Sequence, residues 1–383
     1  MVDLLKKAIS ILLAALAAAL FPCAARAQGT APSVSARSAV VIGAADGRVL
    51  YEKNSHEKLP IASTTKIMTA LLTLEAAARG DETVLITPEM VRVEGSSMGL
   101  KAGDKLTLTA LAEGMLSVSG NDAANSAAIA VGGSIQKFAA LMNQKAAQLG
   151  LSDTHYVTPS GLDDEEHYSS AGDLAKLTAA ALEDPEFARI VAQPKIKVRF
   201  SDPDRTVTYT NHNKLLSMYD GCTGVKTGFT KKSGRCLVSA AERNGVQLVA
   251  VTLSDPNDWE DHERLLDYGF SRLTRYQADD SGFHLSLPVV GGAERSVLVA
   301  GSAGTAALLP ADEVKDLRRT VELPQFVYAP VTKGQVLGLV RYSNSDGTAA
   351  TTKLTAGAAV PRQADHRNMI KKLWDRIRQL LSV

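Results

Sequence analysis

The chain has 383 residues, 45% of them hydrophobic and 22% charged, which is ordinary globular composition with room for roughly two domains. Its formal net charge of +1 excludes a global field that would steer nucleic acid or an acidic polymer, so any charge effect is local and no nucleic-acid partner is expected. Seven histidines are scattered without a His-Glu-x-x-His pattern, and no Cys/His spacing resembles a zinc site, so neither a metal nor a cofactor is expected.

At the start, Lys6 and Lys7 precede an apolar run from Ala8 to Leu20, and Ala25-Arg26-Ala27 supplies a small-residue cleavage pattern. A basic, an apolar and a small-residue region in that order predict a secretory signal peptide over 1–27, cut after Ala27. The apolar run is short for a membrane span. Cys23 goes with the leader, because Phe21 and Pro22 make a poor lipidation signal.

Two apolar runs, Ser38 to Ile42 and Val49 to Tyr51, flank Asp46-Gly47 and predict a hairpin. Pro60 then introduces a helix starting near Ser63, with Ile67, Met68, Leu71, Leu72 and Leu74 at helical spacing. The stretch from Thr83 to Gly114 mixes short strands and turns. Helical patterns cover Thr109–Leu116 and Ala123–Val131, with a break at Ser117–Gly120, and then Ser134–Leu149, Ala171–Leu182 and Pro185–Val191. A hairpin is expected around Asp202-Pro203-Asp204. Three strands follow at Val225–Thr230, Cys236–Ala241 and Val246–Leu253, and a helix over Asp258–Phe270 closes the region. Strands at both sequence ends with helices between them predict an α+β domain, one antiparallel sheet with a helical cluster.

After Tyr276 short β-branched runs alternate with Gly, Pro and Asp turns, which predicts a small all-β module. From Arg367 to Val383, apolar Met369, Ile370, Leu373, Trp374, Ile377, Leu380 and Leu381 trace one helical face, against Arg367, Lys371, Lys372, Arg376 and Arg378. A basic amphipathic helix carrying Trp predicts a segment lying on a membrane surface. The expected domains are therefore the leader at 1–27, the α+β domain at 28–275, the β-rich module at 276–362 and the amphipathic helix at 363–383.

Three motifs carry chemistry. In Ser63-Thr64-Thr65-Lys66 the lysine lies one helical turn after the serine, so a neutral Lys66 can take the Ser63 proton. Burial or a nearby cation such as Lys226 would lower its pKa. In Ser119-Gly120-Asn121 the hydroxyl can relay a proton, and the amide can bond both a catalytic side chain and a substrate carbonyl. In Lys226-Thr227-Gly228 an edge strand can pair with an extended peptide; Gly228 admits close approach, and Lys226 and Thr227 offer a charge and a hydroxyl to a carboxylate. A second Ser-x-x-Lys, at Ser134 to Lys137, reads as a helix cap with a surface lysine. The set points to a serine enzyme that opens amide bonds through an acyl intermediate. Cys222 and Cys236 flank the third motif, and their offset on a hairpin predicts two free thiols.

The ordered set resembles the penicillin-recognising serine enzymes. Its flanks, Pro60 to Ala70, Leu116 to Ala124 and Gly224 to Thr230, with Pro159-Ser160-Gly161-Leu162 and Asn211 to Leu216, are similar to those of the low-molecular-mass D-alanyl-D-alanine carboxypeptidases (peptidase S11-like). The resemblance covers about residues 35–275 and implies a β-lactamase/transpeptidase-like fold. It implies that Ser63 forms the acyl-enzyme, Lys66 accepts its proton, and Ser119 and Asn121 complete the relay. Lys226 and Thr227 would hold the terminal carboxylate of D-Ala-D-Ala, with Gly228 admitting the substrate backbone, and the backbone N–H groups of Ser63 and Phe229 would form the oxyanion hole. Some relatives have His where this chain has Phe229. Peptidoglycan stem peptides and β-lactams are the implied partners, on the outer face of the cytoplasmic membrane. A β-lactamase is disfavoured because no Glu-x-x-Leu-Asn string occurs. A D,D-endopeptidase is poorly separated by these motifs, and a non-catalytic wall-binding scaffold would have lost part of the set.

Overall fold

The computed structural model describes residues 30–345, 347–364 and 366–381. The expected leader, including Cys23, lies outside the described residues, as do Ser382 and Val383 of the terminal helix.

Strands β1 (Ser38–Gly43) and β2 (Val49–Lys53) form the first hairpin. A 3-10 turn, Ala62–Thr65, runs directly into α1 (Lys66–Ala77). The short pair β3 (Thr83–Leu85) and β4 (Lys105–Thr107) precedes α2 (Leu108–Ser117), α3 (Asn121–Gly132), α4 (Ile135–Gln148), α5 (Ala171–Leu182) and α6 (Pro185–Val191). The hairpin of β5 (Lys195–Ser201) and β6 (Asp204–Thr210) leads to a one-turn helix α7 (Leu215–Met218). Then come β7 (Cys222–Thr230), β8 (Gly234–Arg243), β9 (Val246–Leu253) and α8 (Asp258–Arg272).

The five-stranded antiparallel sheet has the order β2-β1-β9-β8-β7, so β7 is an edge. Alternation decides what each face buries. Val40, Ile42, Val249, Val251 and Val238 face α1 to α6, while Ala39, Val41, Leu248, Ala250 and Leu237 face Leu265 and Leu266 of α8. Both faces are covered, which is why β8 and β9 read as nearly continuous apolar runs. Caps fix the helix starts: Ser134 Oγ accepts from Lys137 N (3.2 Å) and Ser170 Oγ from Asp173 N (3.2 Å). The decoy Ser-x-x-Lys is thus a helix cap.

The β-rich region holds β10 (Leu273–Tyr276), β11 (His284–Val290), β12 (Ser296–Ala300), β13 (Ala307–Pro310), β14 (Arg318–Glu322), β15 (Val327–Tyr328), β16 (Val336–Asn344) and β17 (Gly347–Ala356). Six of these form one sheet, β14-β16-β17-β12-β11-β15, over its own apolar cluster around Val299, Val340 and Leu354. Helix α9 (His366–Leu381) ends the description, with Ile370, Leu373, Trp374, Ile377 and Leu380 exposed.

The structure departs from the sequence reading in two ways. Ser63 does not open an α-helix: it lies in the 3-10 turn, because Thr64 Oγ1 and Thr65 Oγ1 donate to the Ile61 and Ala62 carbonyls (2.6 and 2.8 Å). The second concerns β10, β13, β15 and α7, which the reading missed; each has four residues or fewer, too few to show a period. Cys222 and Cys236 are free thiols, with Cys236 opposite Gly228 and Cys222 opposite Ala241.

Candidate active site

The nucleophile turn is held in a backbone conformation that side chains rarely adopt, with Ala62 at φ +46°. Gly161 packs under it. A Cβ at Gly161, itself at φ +82°, would lie 1.9 Å from the Ala62 carbonyl oxygen, so only glycine fits. The Pro159-Ser160-Gly161 segment thereby brings the Ser160 carbonyl to Lys66. His167 supports the same turn. Its Nδ1 accepts from Val157 N (3.0 Å), so Nε2 carries the proton and donates to Thr65 Oγ1 (2.8 Å). Burial holds its pKa down, to about 4.

Lys66 is fully buried, and its Nζ lies 2.9 Å from Ser63 Oγ, 2.7 Å from Asn121 Oδ1 and 2.6 Å from the Ser160 carbonyl oxygen. Burial first, and then the charge of Lys226, push its pKa well below the usual lysine value. A neutral amine has two N–H bonds and one lone pair. With the N–H bonds given to Asn121 and Ser160, the lone pair faces the Ser63 hydroxyl, which is the geometry of a general base.

Ser119 and Asn121 meet this group from the break between α2 and α3. Ser119 sits at φ +61° and turns its side chain into the cleft. Among the described residues its hydroxyl makes no hydrogen bond to Lys66. Asn121 bridges two elements: Oδ1 accepts from Lys66, and Nδ2 donates to the Glu94 carbonyl (2.7 Å), with its second N–H left over. Asp122, in the first turn of α3, accepts from the backbone N–H groups of Met98 (2.9 Å), Gly99 (3.1 Å) and Leu100 (3.0 Å). That clamp, with the Asn121–Glu94 bond, ties the segment 94–100 to the start of α3 and sets Ser96 at the cleft; sequence reasoning saw short strands and turns there.

On β7 the pleat separates neighbouring side chains. Lys226 is buried on the nucleophile side, where Nζ donates to its neighbour's carbonyl, Thr227 O (2.9 Å), and burial lowers its pKa to about 7. Gly228 faces the same way. A Cβ there would come within 3.1 Å of Ile61 O and Ser63 N. Its smallness therefore serves the packing of β7 against the nucleophile turn, not only the approach of a ligand. Thr227 and the exposed Phe229 line the cleft.

The cleft has a volume of about 380 Å³. Ser63, Ser119, Thr227, Gly228 and Phe229 of the sequence-derived set line it, and Lys66, Asn121 and Lys226 lie buried at its base. It also contains residues that the motif search missed: Ser96, His212, Lys214, Arg235, Asp258 and Trp259. His212 has its backbone N–H on the Ser117 carbonyl (3.1 Å), and burial together with Lys226 lowers its pKa. The Asn211–Leu216 string that carried part of the resemblance was a pointer to His212 and Lys214. Arg235, Asp258 and Trp259 had no local pattern.

Comparison with known proteins identifies the family. Residues 25–257 match the family model for D-alanyl-D-alanine carboxypeptidase, and residues 270–362 match that for the penicillin-binding protein 5 C-terminal domain. The chain is 31% identical over 312 residues to D-alanyl-D-alanine carboxypeptidase DacF of Bacillus subtilis, covering 79% of this chain and 80% of that one. It is 34% identical over 334 residues to DacC, also named D-alanyl-D-alanine carboxypeptidase, of Escherichia coli, covering 82% and 81%. The crystal structure of penicillin-binding protein 5 from Haemophilus influenzae superimposes with a TM-score of 0.64 at 27% identity, over 87% of this chain and all (100%) of that one. With its nucleophile turn, buried lysines and edge strand in this arrangement, the chain belongs to the D-alanyl-D-alanine carboxypeptidase family.

Proposed function

We propose that this chain removes the terminal D-alanine from peptidoglycan stem peptides, with Ser63 as nucleophile and Lys66 as its base. The observation that carries the reading is the 2.9 Å contact between Lys66 Nζ and Ser63 Oγ, in a buried setting that lowers the pKa of the amine. Lys66 takes the hydroxyl proton as Oγ adds to the carbonyl carbon of the penultimate D-alanine. The backbone N–H groups of Ser63 and Phe229 stabilise the oxyanion. The proton passes by way of Ser119 to the departing amine, the C–N bond breaks, and D-alanine leaves. Water then adds to the ester, gives its proton to the same relay and frees Ser63. Thr227 and Lys226 hold the terminal carboxylate side of the peptide, Gly228 keeps the strand close to Ser63, and Asn121 offers its second N–H to the peptide backbone. β-Lactams enter as mimics of the peptide and stay as the Ser63 ester, a reading supported by the lack of a Glu-x-x-Leu-Asn string in the sequence.

The test is release of D-alanine from a D-Ala-D-Ala-terminated peptide, run beside attachment of a labelled penicillin. Ser63→Ala should abolish both. Turnover of a penicillin as fast as of peptide would favour a β-lactamase instead.

The remaining assignments concern place. The reading puts residues 1–27 in a cleaved leader, the peptidase region at 28–275, the β-rich module at 276–362, and the terminal helix, 363–383, on the outer face of the cytoplasmic membrane. Supporting this, α9 exposes Trp374, Leu373 and Leu380 along one side. No described helix is long and apolar enough to cross a membrane.

A further inference from the structure

The β5–β6 hairpin has two faces of opposite character. Alternation along β5 buries Ile196, Val198 and Phe200 and leaves Lys195, Lys197, Arg199 and Ser201 exposed. Their partners on β6 follow, because paired residues share a face. Lys195 lies opposite Thr210, Lys197 opposite Thr208 and Arg199 opposite Thr206, and all three threonines are exposed. The other face is fixed to the peptidase region: Tyr209 Oη donates to the Met98 carbonyl (2.6 Å), and Arg205 pairs with Asp104 (2.9 Å). The outer face therefore carries a row of cations about 7 Å apart on one strand, with a row of hydroxyls beside it on the other.

This row starts at the catalytic cleft. Asn211 N donates to the Pro194 carbonyl (2.9 Å), closing the open end of the hairpin, and His212, the next residue, ties its own N–H to Ser117 and lines the cleft. The row ends at the turn, where Asp204 holds Arg199 (3.4 Å) and Asp202 holds Lys105 (2.9 Å). The Arg199–Asp204 pair is an open one, with side chains 76% and 72% exposed. Among the described residues Lys195 and Lys197 have no carboxylate within ion-pair distance. Two unpaired ammonium groups beside hydroxyls attract an anionic chain, and the composition of the face narrows which one. Its outward residues include no aromatic or large aliphatic side chain, so nothing on it inserts into a bilayer or stacks on a sugar or a base. Ammonium and hydroxyl donors at strand spacing suit carboxylates on an extended chain.

We propose that the Lys195–Lys197 face of this hairpin is a second binding surface for the wall polymer, taking the carboxylates of acidic stem peptides next to the one being trimmed at Ser63. The assignment rests on the carboxypeptidase reading above and extends it outside the cleft. The cleft acts on one chain end, while the hairpin holds the polymer that carries it. Tethering of that kind raises the local concentration of chain ends at Ser63 without any new contact in the cleft.

The experiment uses the full chain and its Lys195→Gln/Lys197→Gln variant, with Lys315→Gln/Lys333→Gln, two exposed lysines of the β-rich region, as a control of equal charge loss. Each is assayed on a soluble D-Ala-D-Ala peptide and on isolated peptidoglycan, and penicillin-blocked samples are sedimented with peptidoglycan at low and at high salt. The hairpin variant should release D-alanine from the soluble peptide at the native rate. On peptidoglycan it should lose about 3- to 15-fold in apparent affinity, seen as a raised KM and as weaker sedimentation at low salt. High salt should bring native chain and variant together. The control variant should keep the native affinity, and peptidoglycan whose carboxylates have been converted to amides should bind native chain and hairpin variant alike. Equal affinity of native chain and hairpin variant for untreated peptidoglycan would overturn the proposal. So would an equal loss in the control variant, a loss seen with anionic vesicles but not with peptidoglycan, or a hairpin variant slowed as much on soluble peptide as on polymer. A native chain that released no D-alanine from the soluble peptide would overturn the carboxypeptidase reading, whereas the sedimentation of blocked samples reports on the hairpin alone.

Discussion

Two buried lysines set the chemistry residue by residue. Lys66 must be neutral to act, and Lys66→Ala removes the base while leaving Asn121 Oδ1 and Ser160 O without their donor. Acylation by a labelled penicillin should slow by about 10²–10⁴-fold, read by stopped flow. Lys226 has a stability signature as well. Its folded pKa is about 7 against an ordinary 10.5, because burial disfavours the charged form. Between those values the unfolded chain binds a proton that the folded chain does not, so stability rises with pH across that window and flattens above it. The full displacement is worth roughly 5 kcal/mol. Urea midpoints should therefore climb from near pH 7 to near pH 10 in the native chain, and Lys226→Met should remove part of the climb, since the buried Lys66 adds to it over the same range. A native chain whose midpoint falls over that range would contradict a Lys226 that burial makes easier to deprotonate than in the unfolded chain.

Elements bring the residues together, and here close packing of backbone against backbone is decisive. The 3-10 turn of Ser63 is wedged between Gly161 below and Gly228 on β7. Gly161→Ala puts a methyl into the Ala62 carbonyl and forces φ +82° on a side chain, at a cost of about 1–3 kcal/mol or more. It should also push Ser160 O away from Lys66, so acylation should fall further than the loss of folded protein explains. Thermal melts run beside penicillin labelling separate the two. Much of this arrangement was legible beforehand. The second and third motifs stand in the expected break and strand, β9 and α5 have the expected bounds, and strands from both ends of the region join one antiparallel sheet as expected. What escaped has a common cause. Ser160 O and Glu94 O are backbone acceptors, which leave no side-chain signature. The Asp122 clamp joins backbone groups 22 to 24 residues away. Arg235 and Asp258 meet across 23 positions through register alone. Spacing rules see one element at a time, and these contacts exist only between elements.

At the scale of the molecule, the peptidase region and the β-rich sheet have separate apolar clusters, and α9 exposes its apolar side. A chain ending at residue 362 should release D-alanine from a soluble peptide at an unchanged rate yet no longer sediment with anionic vesicles. The five basic residues between 367 and 378 each contribute about 1 kcal/mol near such a surface. The free thiols have a consequence for biogenesis. Cys222 and Cys236 lie on paired strands but five register steps apart, since Cys222 faces Ala241, a separation of roughly 17 Å along the strand. A bond between them needs Cα atoms within about 7 Å. Burial also pushes the Cys236 thiol up to about 11, which keeps it protonated and slow to exchange. Maturation of the enzyme should consequently be indifferent to oxidoreductases that form disulfides, and refolding yields with dithiothreitol and with oxidised glutathione should coincide.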